Sequence, residues 1–96
     1  MPARLRTITP EISEQVSAHI RAERIRRGWE VPDLSFHLAQ AGYKISDAVI
    51  NSIENGVIEY REGSAFTRTR FLSVDECVAF AKVLGISLMQ LIEGRK

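Results

Sequence analysis

A short helix with both ends marked is predicted by Ser46-Asp47-Ala48-Val49-Ile50-Asn51-Ser52-Ile53-Glu54-Asn55-Gly56. The Ser46 hydroxyl can cap the first turn by accepting from a backbone N–H that has no partner within the helix. Gly56 can end the helix, because a left-handed conformation costs glycine nothing. Val49, Ile50 and Ile53 make a narrow apolar stripe at helical spacing. The opposite face carries short and mostly polar side chains, namely Asp47, Ala48, Asn51 and Ser52.

The size and composition of the chain indicate one small folded domain. It has 96 residues, of which 45% are apolar, too many for a disordered chain. Its 13 lysines and arginines oppose 12 carboxylates, so the net charge of +1 lacks the basic excess that is typical of nucleic-acid-binding proteins. A single cysteine excludes an internal disulfide, and no apolar run is as long as a membrane span or a signal peptide. We therefore expect a cytoplasmic protein without a membrane anchor.

Four further helices are predicted on either side of this stretch. One begins at Thr9-Pro10, with threonine as the cap and proline at the first helical position, and ends at Arg26-Arg27-Gly28. The next begins near Pro32 and ends at Gly42. The last two begin with the capping boxes Ser73-Val74-Asp75-Glu76 and Ser87-Leu88-Met89-Gln90, in which the first and fourth residues each satisfy a free donor.

Residues 57–72 break the helical rhythm and predict a β-hairpin. Val57–Arg61 and Phe66–Phe71 are rich in β-branched and aromatic residues, and residues 62–65 between them are typical of a turn. Alternation places Phe66, Arg68 and Arg70 on one side of the second strand. The predicted fold is an all-α, five-helix domain over residues 10–94, with this hairpin inserted between helices 3 and 4 and a flexible basic arm at residues 1–9.

Two charged residues fall on predicted apolar faces. Arg24 continues the apolar stripe of the first helix, which repeats every four residues, and Glu54 lies one turn after Ile50. A lone buried charge is costly, whereas a hydrogen-bonded pair is tolerated. The alternative is that both side chains reach water from the helix ends. We predict an ion pair between Arg24 and Glu54 that ties the first helix to the third.

The order and spacing of these features resemble the phage-repressor/Cro (XRE-type) helix-turn-helix family. The resemblance covers about residues 12–56 and 73–93. In this family an arginine at the Arg24 position is commonly bonded to a glutamate at the Glu54 position. The motifs that carry the resemblance are Ile20-x-x-x-Arg24-Ile25-Arg26-Arg27-Gly28-Trp29, Asp33-Leu34-Ser35-x-x-Leu38, Ile45-Ser46-x-x-x-Ile50-x-x-Ile53-Glu54-Asn55-Gly56, and a tail over residues 73–87.

The resemblance implies a repressor-type domain that binds a specific DNA sequence, usually as a homodimer. Such a domain is expected to regulate transcription, as a phage or prophage repressor does. A short helix that shows small hydrogen-bonding groups on one face can lie in the major groove. Carried over by position, the residues that would read the bases are Ser46, Asp47, Ala48, Asn51 and Ser52. Contacts to the DNA backbone are expected from Glu30 and Val31 at the start of the second helix and from Lys44, Ser46, Asn55 and Gly56.

The hairpin and the arm are the candidate sources of affinity for the DNA backbone. Residues 31–56 carry Lys44 against three carboxylates, so the third helix alone is expected to bind DNA weakly. A wing-like hairpin can reach phosphates or a narrow minor groove, where arginine is favoured. Two alternatives for the hairpin are a solvated loop and a strand edge that pairs with another chain. The available cations are Arg61, Arg68 and Arg70 in the hairpin and Arg4 and Arg6 in the arm.

A protein-interaction module on the same fold, such as an antitoxin or an adaptor, is the main alternative to a DNA-binding regulator. The near-neutral charge favours this alternative, and the complete helix-turn-helix pattern opposes it. His19 and His37 lie on different helices, so with one cysteine they lack the spacing of a zinc site. Cys77 lies among apolar residues of the fourth helix and is expected in the core. We therefore predict no enzymatic activity, no metal and no cofactor.

Overall fold

A computed structural model describes residues 10–94, which form five helices and one two-stranded antiparallel sheet. The arm predicted at residues 1–9, with Arg4 and Arg6, lies outside the described residues. The domain is mostly helical, but the hairpin makes the strict all-α class wrong. In chain order the elements are α1 (Pro10–Arg26), α2 (Val31–Gln40), α3 (Asp47–Asn55), β1 (Val57–Arg61), β2 (Ser64–Arg68), α4 (Val74–Leu84) and α5 (Leu88–Glu93).

Local side-chain hydrogen bonds set the helix starts where the sequence predicts them. The Ser73 hydroxyl accepts from the Glu76 N–H at 3.1 Å, and the Glu76 carboxylate accepts from the Ser73 N–H at 2.9 Å. Ser87 and Gln90 make the same reciprocal pair at 3.0 and 2.9 Å. Both predicted capping boxes are confirmed, and each satisfies two backbone donors that a helix cannot pair itself.

One apolar core joins α1, α2, α3, α4 and α5. Phe80 on α4 is its largest fully buried side chain, and sequence periodicity did not single it out. Helical spacing in the sequence predicts an apolar α4 face formed by Val74, Cys77, Val78, Ala81 and Leu84. That prediction is partly wrong, because Val74 and Val78 are each 43% exposed. At 100° per residue, Val78 lies at the edge of the buried arc that contains Cys77 and Phe80. The other fully buried large apolar residues are Val16, Ile20, Leu34, Leu38, Ile50, Ile53, Leu72, Leu84 and Leu91.

The hairpin is shorter than predicted. Its turn has two residues, Glu62 and Gly63, with φ of +50° and +82°, as a type I′ turn requires. The predicted strand over 66–71 stops at Arg68. Leu72 is fully buried and its N–H donates to the Ser13 hydroxyl at 3.3 Å, so the chain must leave the hairpin and return to α1.

Gly56 joins α3 directly to β1. Its φ of +86° confirms the predicted positive φ, but its ψ of 178° is extended rather than left-handed helical. A Cβ at this position would lie 2.6 Å from Thr67 Cγ2 and 2.7 Å from the Arg68 carbonyl oxygen. Only glycine allows the returning strand to pack this closely against the end of α3.

Candidate nucleic-acid interface

The cap and the core fix α3 so that its polar face stays outside. The Ser46 hydroxyl accepts from the Val49 N–H at 3.3 Å, which confirms the predicted cap. Ile50 and Ile53 are buried, and this holds the axial rotation of the helix. The predicted base-reading residues Ser46, Asp47, Ala48 and Asn51 are exposed, and Ser52 is half-buried.

The side chains on the exposed face of α3 differ in what they can offer a base. The Ser52 hydroxyl donates to the Ala48 carbonyl oxygen at 3.0 Å, so within the free protein its proton is used by the helix backbone. Asn51 offers a donor and an acceptor, the pair that matches an adenine edge. Asp47 can accept from a cytosine amino group, and Ala48 can contact only a thymine methyl. Asn51 is therefore the strongest candidate for a specific contact.

The segment between α2 and α3 is held by hydrogen bonds at both of its ends. The Ser35 hydroxyl donates to the Ile45 carbonyl oxygen at 2.9 Å. The Tyr43 N–H donates to the Leu38 carbonyl oxygen at 2.9 Å. These bonds position α3 relative to α2 without any contact from the exposed face. Lys44, a predicted backbone contact in this segment, is exposed.

Carboxylates surround the start of α2, where a phosphate contact is expected. The Asp33 carboxylate accepts from the Glu30 N–H at 2.8 Å and so already occupies one free donor of the helix end. Glu30 and Asp33 are both exposed, and Val31 is half-buried. Negative charge here stabilises the positive end of the helix but opposes a phosphate.

A bidentate ion pair between Arg24 and Glu54 is confirmed. Arg24 Nε and Nη2 each donate to a Glu54 carboxylate oxygen at 2.8 Å. Arg24 Nη1 also donates to the Trp29 carbonyl oxygen at 2.7 Å. The hydrogen bond with Glu54 raises the pKa of Arg24 in spite of desolvation by burial. This cluster fixes the carboxyl end of α3, beside the predicted backbone contact Asn55, which is exposed.

Two hairpin arginines share one carboxylate. Glu59 on β1 receives a hydrogen bond from Arg68 Nε, and Arg61 Nη2 lies 3.7 Å from its other oxygen. The Arg61 guanidinium also lies 5.5 Å from the centre of the Phe66 ring. The register of the ladder explains the cluster. Glu59 lies directly opposite Phe66 and two residues after Val57, whose partner across the ladder is Arg68. A phosphate must therefore compete with Glu59 for these two arginines.

Arg70 has a structural role that the sequence pattern did not predict. It donates to both Glu76 carboxylate oxygens at 3.1 and 3.2 Å. The same Glu76 carboxylate caps α4 through the Ser73 N–H. Arg70 is half-buried and lies after the end of β2, so it belongs to the cap of α4 rather than to a hairpin strand.

The hairpin instead exposes apolar side chains that were not predicted as functional. Tyr60 is 76% exposed and Ile58 is 61% exposed. They share one face of the hairpin with Ala65 and Thr67, their partners across the ladder. The other face carries Glu59 and Phe66. The alternation of Ile58 and Tyr60 with Glu59 in β1 is the sequence signal that could have revealed this face.

A cleft of about 350 Å³ separates α1 from the hairpin. Glu14, Ala18 and Arg21 of α1 line one wall. The other wall is formed at the end of β2 and just after it, by Thr67, Arg68 and Thr69. The end of α3 lies between the two walls. No β1 residue lines this cleft, which therefore lies on the β2 side of the hairpin.

The histidines and the cysteine serve packing. His19 Nδ1 donates to the Leu91 carbonyl oxygen at 2.7 Å, and the ring of His37 stacks on Trp29 with centroids 4.2 Å apart. Burial raises the pKa of the Cys77 thiol to about 11, as expected for a core residue. Among residues 10–94 no three His, Cys, Asp or Glu side chains are grouped as metal ligands.

None of the helices in the described part of the chain has the length and apolarity that crossing a bilayer requires. No known protein-family profile matches the chain, and no curated protein or solved structure is significantly similar to it.

Proposed function

We propose that this protein is a sequence-specific DNA-binding regulator of the repressor/Cro helix-turn-helix type, which acts as a homodimer in the cytoplasm and catalyses no reaction. The observation that carries the proposal is the capped, core-anchored α3, whose outer face keeps Asp47, Ala48 and Asn51 exposed. The hydrogen bond from the Ser35 hydroxyl to the Ile45 carbonyl oxygen holds this helix against α2 in a fixed orientation. A rigid short helix with small polar groups outside is suited to the major groove.

In this proposal α3 supplies selectivity and cations elsewhere supply affinity. Asn51 and Asp47 would contact base edges, and Ser46, Lys44 and Asn55 would contact the adjacent backbone. Arg61 and Arg68 would exchange Glu59 for phosphates as the DNA docks. Because that exchange costs part of the attraction, we expect only moderate affinity at physiological salt.

Selection from a random-sequence duplex pool at low salt tests the proposal. We expect enrichment of a palindrome, with a log–log salt slope of roughly 0.9 for each phosphate contacted. The matched comparison is the same selection with the double variant Asp47→Ala and Asn51→Ala, which keeps the fold because both side chains are exposed. An unenriched pool with the unaltered protein contradicts the proposal.

A second candidate function is protein recognition without DNA reading. Two observations favour it: the exposed carboxylates Glu30 and Asp33 at the start of α2, and the exposed apolar face formed by Ile58 and Tyr60. In that case the selection yields no palindrome and binding to random DNA has no steep salt dependence. The partner would be a protein that covers the apolar face of the hairpin.

A further inference from the structure

The cleft between α1 and the hairpin presents two charges that no other group neutralises within residues 10–94. Glu14 and Arg21 line its α1 wall, and both residues are exposed. Neither takes part in an ion pair or a side-chain hydrogen bond in the described part of the chain. The other charged residues of the lining, Glu54 and Arg68, are already held in ion pairs of their own. The cleft therefore has one carboxylate and one guanidinium to offer a ligand.

These two charges stand at a fixed separation on one face of α1. Glu14 and Arg21 are seven residues apart, close to two full turns, so their Cα atoms lie about 10 Å apart along the helix axis. Charged side chains pair directly on a helix when they are three or four residues apart. A ligand that meets both charges must span the gap, with a cationic group at the Glu14 end and an anionic group at the Arg21 end.

Ser17 lies between the two charges on the same wall and has a hydroxyl group without a partner. The residue is 7% exposed, and within residues 10–94 its Oγ is the one buried side-chain oxygen or nitrogen that makes no hydrogen bond. An unsatisfied buried hydroxyl costs stability, and alanine is the better helix former. A ligand in the cleft that hydrogen-bonds to this Oγ would remove the cost.

The neutral polar side chains of the cleft suit a peptide bond. Thr67 and Thr69 on the hairpin wall and Asn55 at the end of α3 can each donate and accept a hydrogen bond. A peptide group likewise offers one donor and one acceptor. Ala18 on the α1 wall adds apolar surface for a small side chain. The volume of about 350 Å³ is at the lower end of the range for small-molecule sites.

We propose that this cleft binds a zwitterionic dipeptide, with its ammonium group at Glu14, its carboxylate at Arg21 and a hydrogen bond to Ser17. An extended dipeptide spans about 7 Å, so the two side chains can reach its two ends. Arginine binds a carboxylate through two parallel N–H bonds, as Arg24 does elsewhere in this protein. The bound peptide would contact both α1 and the hairpin. This inference goes beyond the proposed function and does not rest on it.

Titration of the isotopically labelled full chain with L-alanyl-L-alanine, followed by heteronuclear NMR, tests the binding without DNA. We expect saturable shifts at the amides of Ser17, Thr67 and Thr69, with a dissociation constant in about the millimolar range or below. N-acetyl-L-alanyl-L-alanine lacks the ammonium group and L-alanyl-L-alaninamide lacks the carboxylate. Each should bind about tenfold more weakly or worse, because one charge of the cleft is then unmatched.

Three results of this titration would overturn the proposal. The first is the absence of saturable binding, or shifts confined to residues outside the cleft. The second is equal binding of the three peptides, which would mean that the two charges of the cleft do not act as a pair. The third is competition by inorganic phosphate at constant ionic strength, which would show a site for anions alone.

Single variants assign each end of the peptide to its charge. Glu14→Gln should weaken binding of L-alanyl-L-alanine about tenfold and leave its N-acetyl form unchanged, because that form has no ammonium group. Arg21→Gln should weaken the free peptide and leave the amide unchanged. Glu11→Gln and Arg26→Gln are the matched controls, since both alter exposed charges of α1 outside the cleft. Equal losses in the controls would mean attraction by net charge and would overturn the assignment.

Ser17→Ala separates binding from folding. Because the Oγ has no partner in the described residues, we expect the variant to unfold at the same urea concentration or a higher one. Its affinity for L-alanyl-L-alanine should fall by about three- to tenfold, which corresponds to one hydrogen bond. A destabilised variant, or one that binds the peptide as tightly as the unaltered protein, would contradict the role of Ser17.

Discussion

Arg24 and Glu54 form a two-point ion pair across the interior, with both hydrogen bonds at 2.8 Å and side chains that are 12% and 2% exposed. The Trp29 carbonyl oxygen accepts a third bond from the same guanidinium. The pair thus joins the end of α1, the segment before α2 and the end of α3. Its planar, bidentate geometry requires arginine, because a lysine ammonium cannot match both carboxylate oxygens.

Loss of one partner of this pair should strongly destabilise the fold. Glu54→Gln leaves the Arg24 charge buried without compensation, and we expect the free energy of unfolding to fall by about 3–5 kcal/mol. Urea denaturation followed by circular dichroism measures the change. The matched control is Arg61→Ala at the exposed Glu59 pair, expected to cost below ~0.5 kcal/mol. A double variant, Arg24→Met with Glu54→Met, should recover most of the loss, because no lone charge then remains.

Gly56→Ala should also destabilise the protein. The new methyl group would lie 2.6 Å from Thr67 Cγ2, at a φ of +86° and a ψ of 178° that side chains rarely adopt. We expect a loss of about 3 kcal/mol or more in thermal or urea unfolding. Gly28→Ala is the control, because its φ is +71° but no atom lies within 4 Å of the added carbon. That control should lose only about 1–2 kcal/mol, and equal losses would contradict the steric argument.

Stability should fall at alkaline pH through Cys77. The folded state holds the pKa of this thiol at about 11, above its ordinary value of 9.0, so the unfolded chain loses the proton first. The contribution of Cys77 is thus complete below pH 9 and is lost as pH rises towards 11. Across that interval we expect the free energy of unfolding to fall by on the order of 2 kcal/mol more in the unaltered protein than in the Cys77→Ala variant. The other groups titrate alike in both proteins. Parallel stability curves for the two proteins would exclude this linkage.

Asn51→Ala should weaken binding to the selected DNA site more than binding to random DNA. Loss of a bidentate contact to a base costs about 1–3 kcal/mol of discrimination. Fluorescence anisotropy with the selected duplex and a scrambled duplex gives the ratio. Gln15→Ala, a comparable change at an exposed site on α1, should leave both affinities unchanged. The same loss on both duplexes would mean that Asn51 contacts the backbone.

Arg68→Ala with Arg70→Ala should weaken DNA binding and flatten its salt dependence, by roughly 0.9 in log–log slope for each phosphate that the variant no longer neutralises. Because Arg70 also holds Glu76 at the cap of α4, the single Arg70→Ala variant should in addition unfold at lower urea. Glu59→Gln provides the opposite change, since it releases Arg68 and should strengthen binding. No change in slope for any of these variants would remove the hairpin from the DNA interface.

The elements whose determinants lie within a few residues were predictable from the sequence. Three predicted helix caps are confirmed, because each of their hydrogen bonds spans only three residues. They are the Ser46 cap, the capping box of Ser73 with Glu76 and the capping box of Ser87 with Gln90. The Arg24–Glu54 pair spans thirty residues and was still predictable. Two opposite charges on apolar faces are expected to pair with each other, since an unpaired buried charge is so costly.

The partners of the hairpin arginines were not predictable from local pattern. Arg68 meets Glu59 only because the two-residue turn sets the register, and the predicted turn was two residues longer. The exposed surfaces of Val74 and Val78 likewise follow from how α4 rotates to bury Phe80. Such facts depend on how several elements pack together, which no single segment specifies.

The amino-acid sequence by itself determined the five helices, the caps of α3, α4 and α5, the polar face of α3 and the buried ion pair. The predicted cap of α1, Thr9, lies outside the described residues. Local hydrogen bonds and the cost of burying charge act in any fold that keeps these segments. Only the tertiary structure decided that the hairpin arginines lie on carboxylates, that Arg70 joins the cap of α4, and that Ile58 and Tyr60 face outward. The reason is physical: a charge takes whichever partner the folded chain brings within hydrogen-bond distance, and a strand face is buried only when another element covers it.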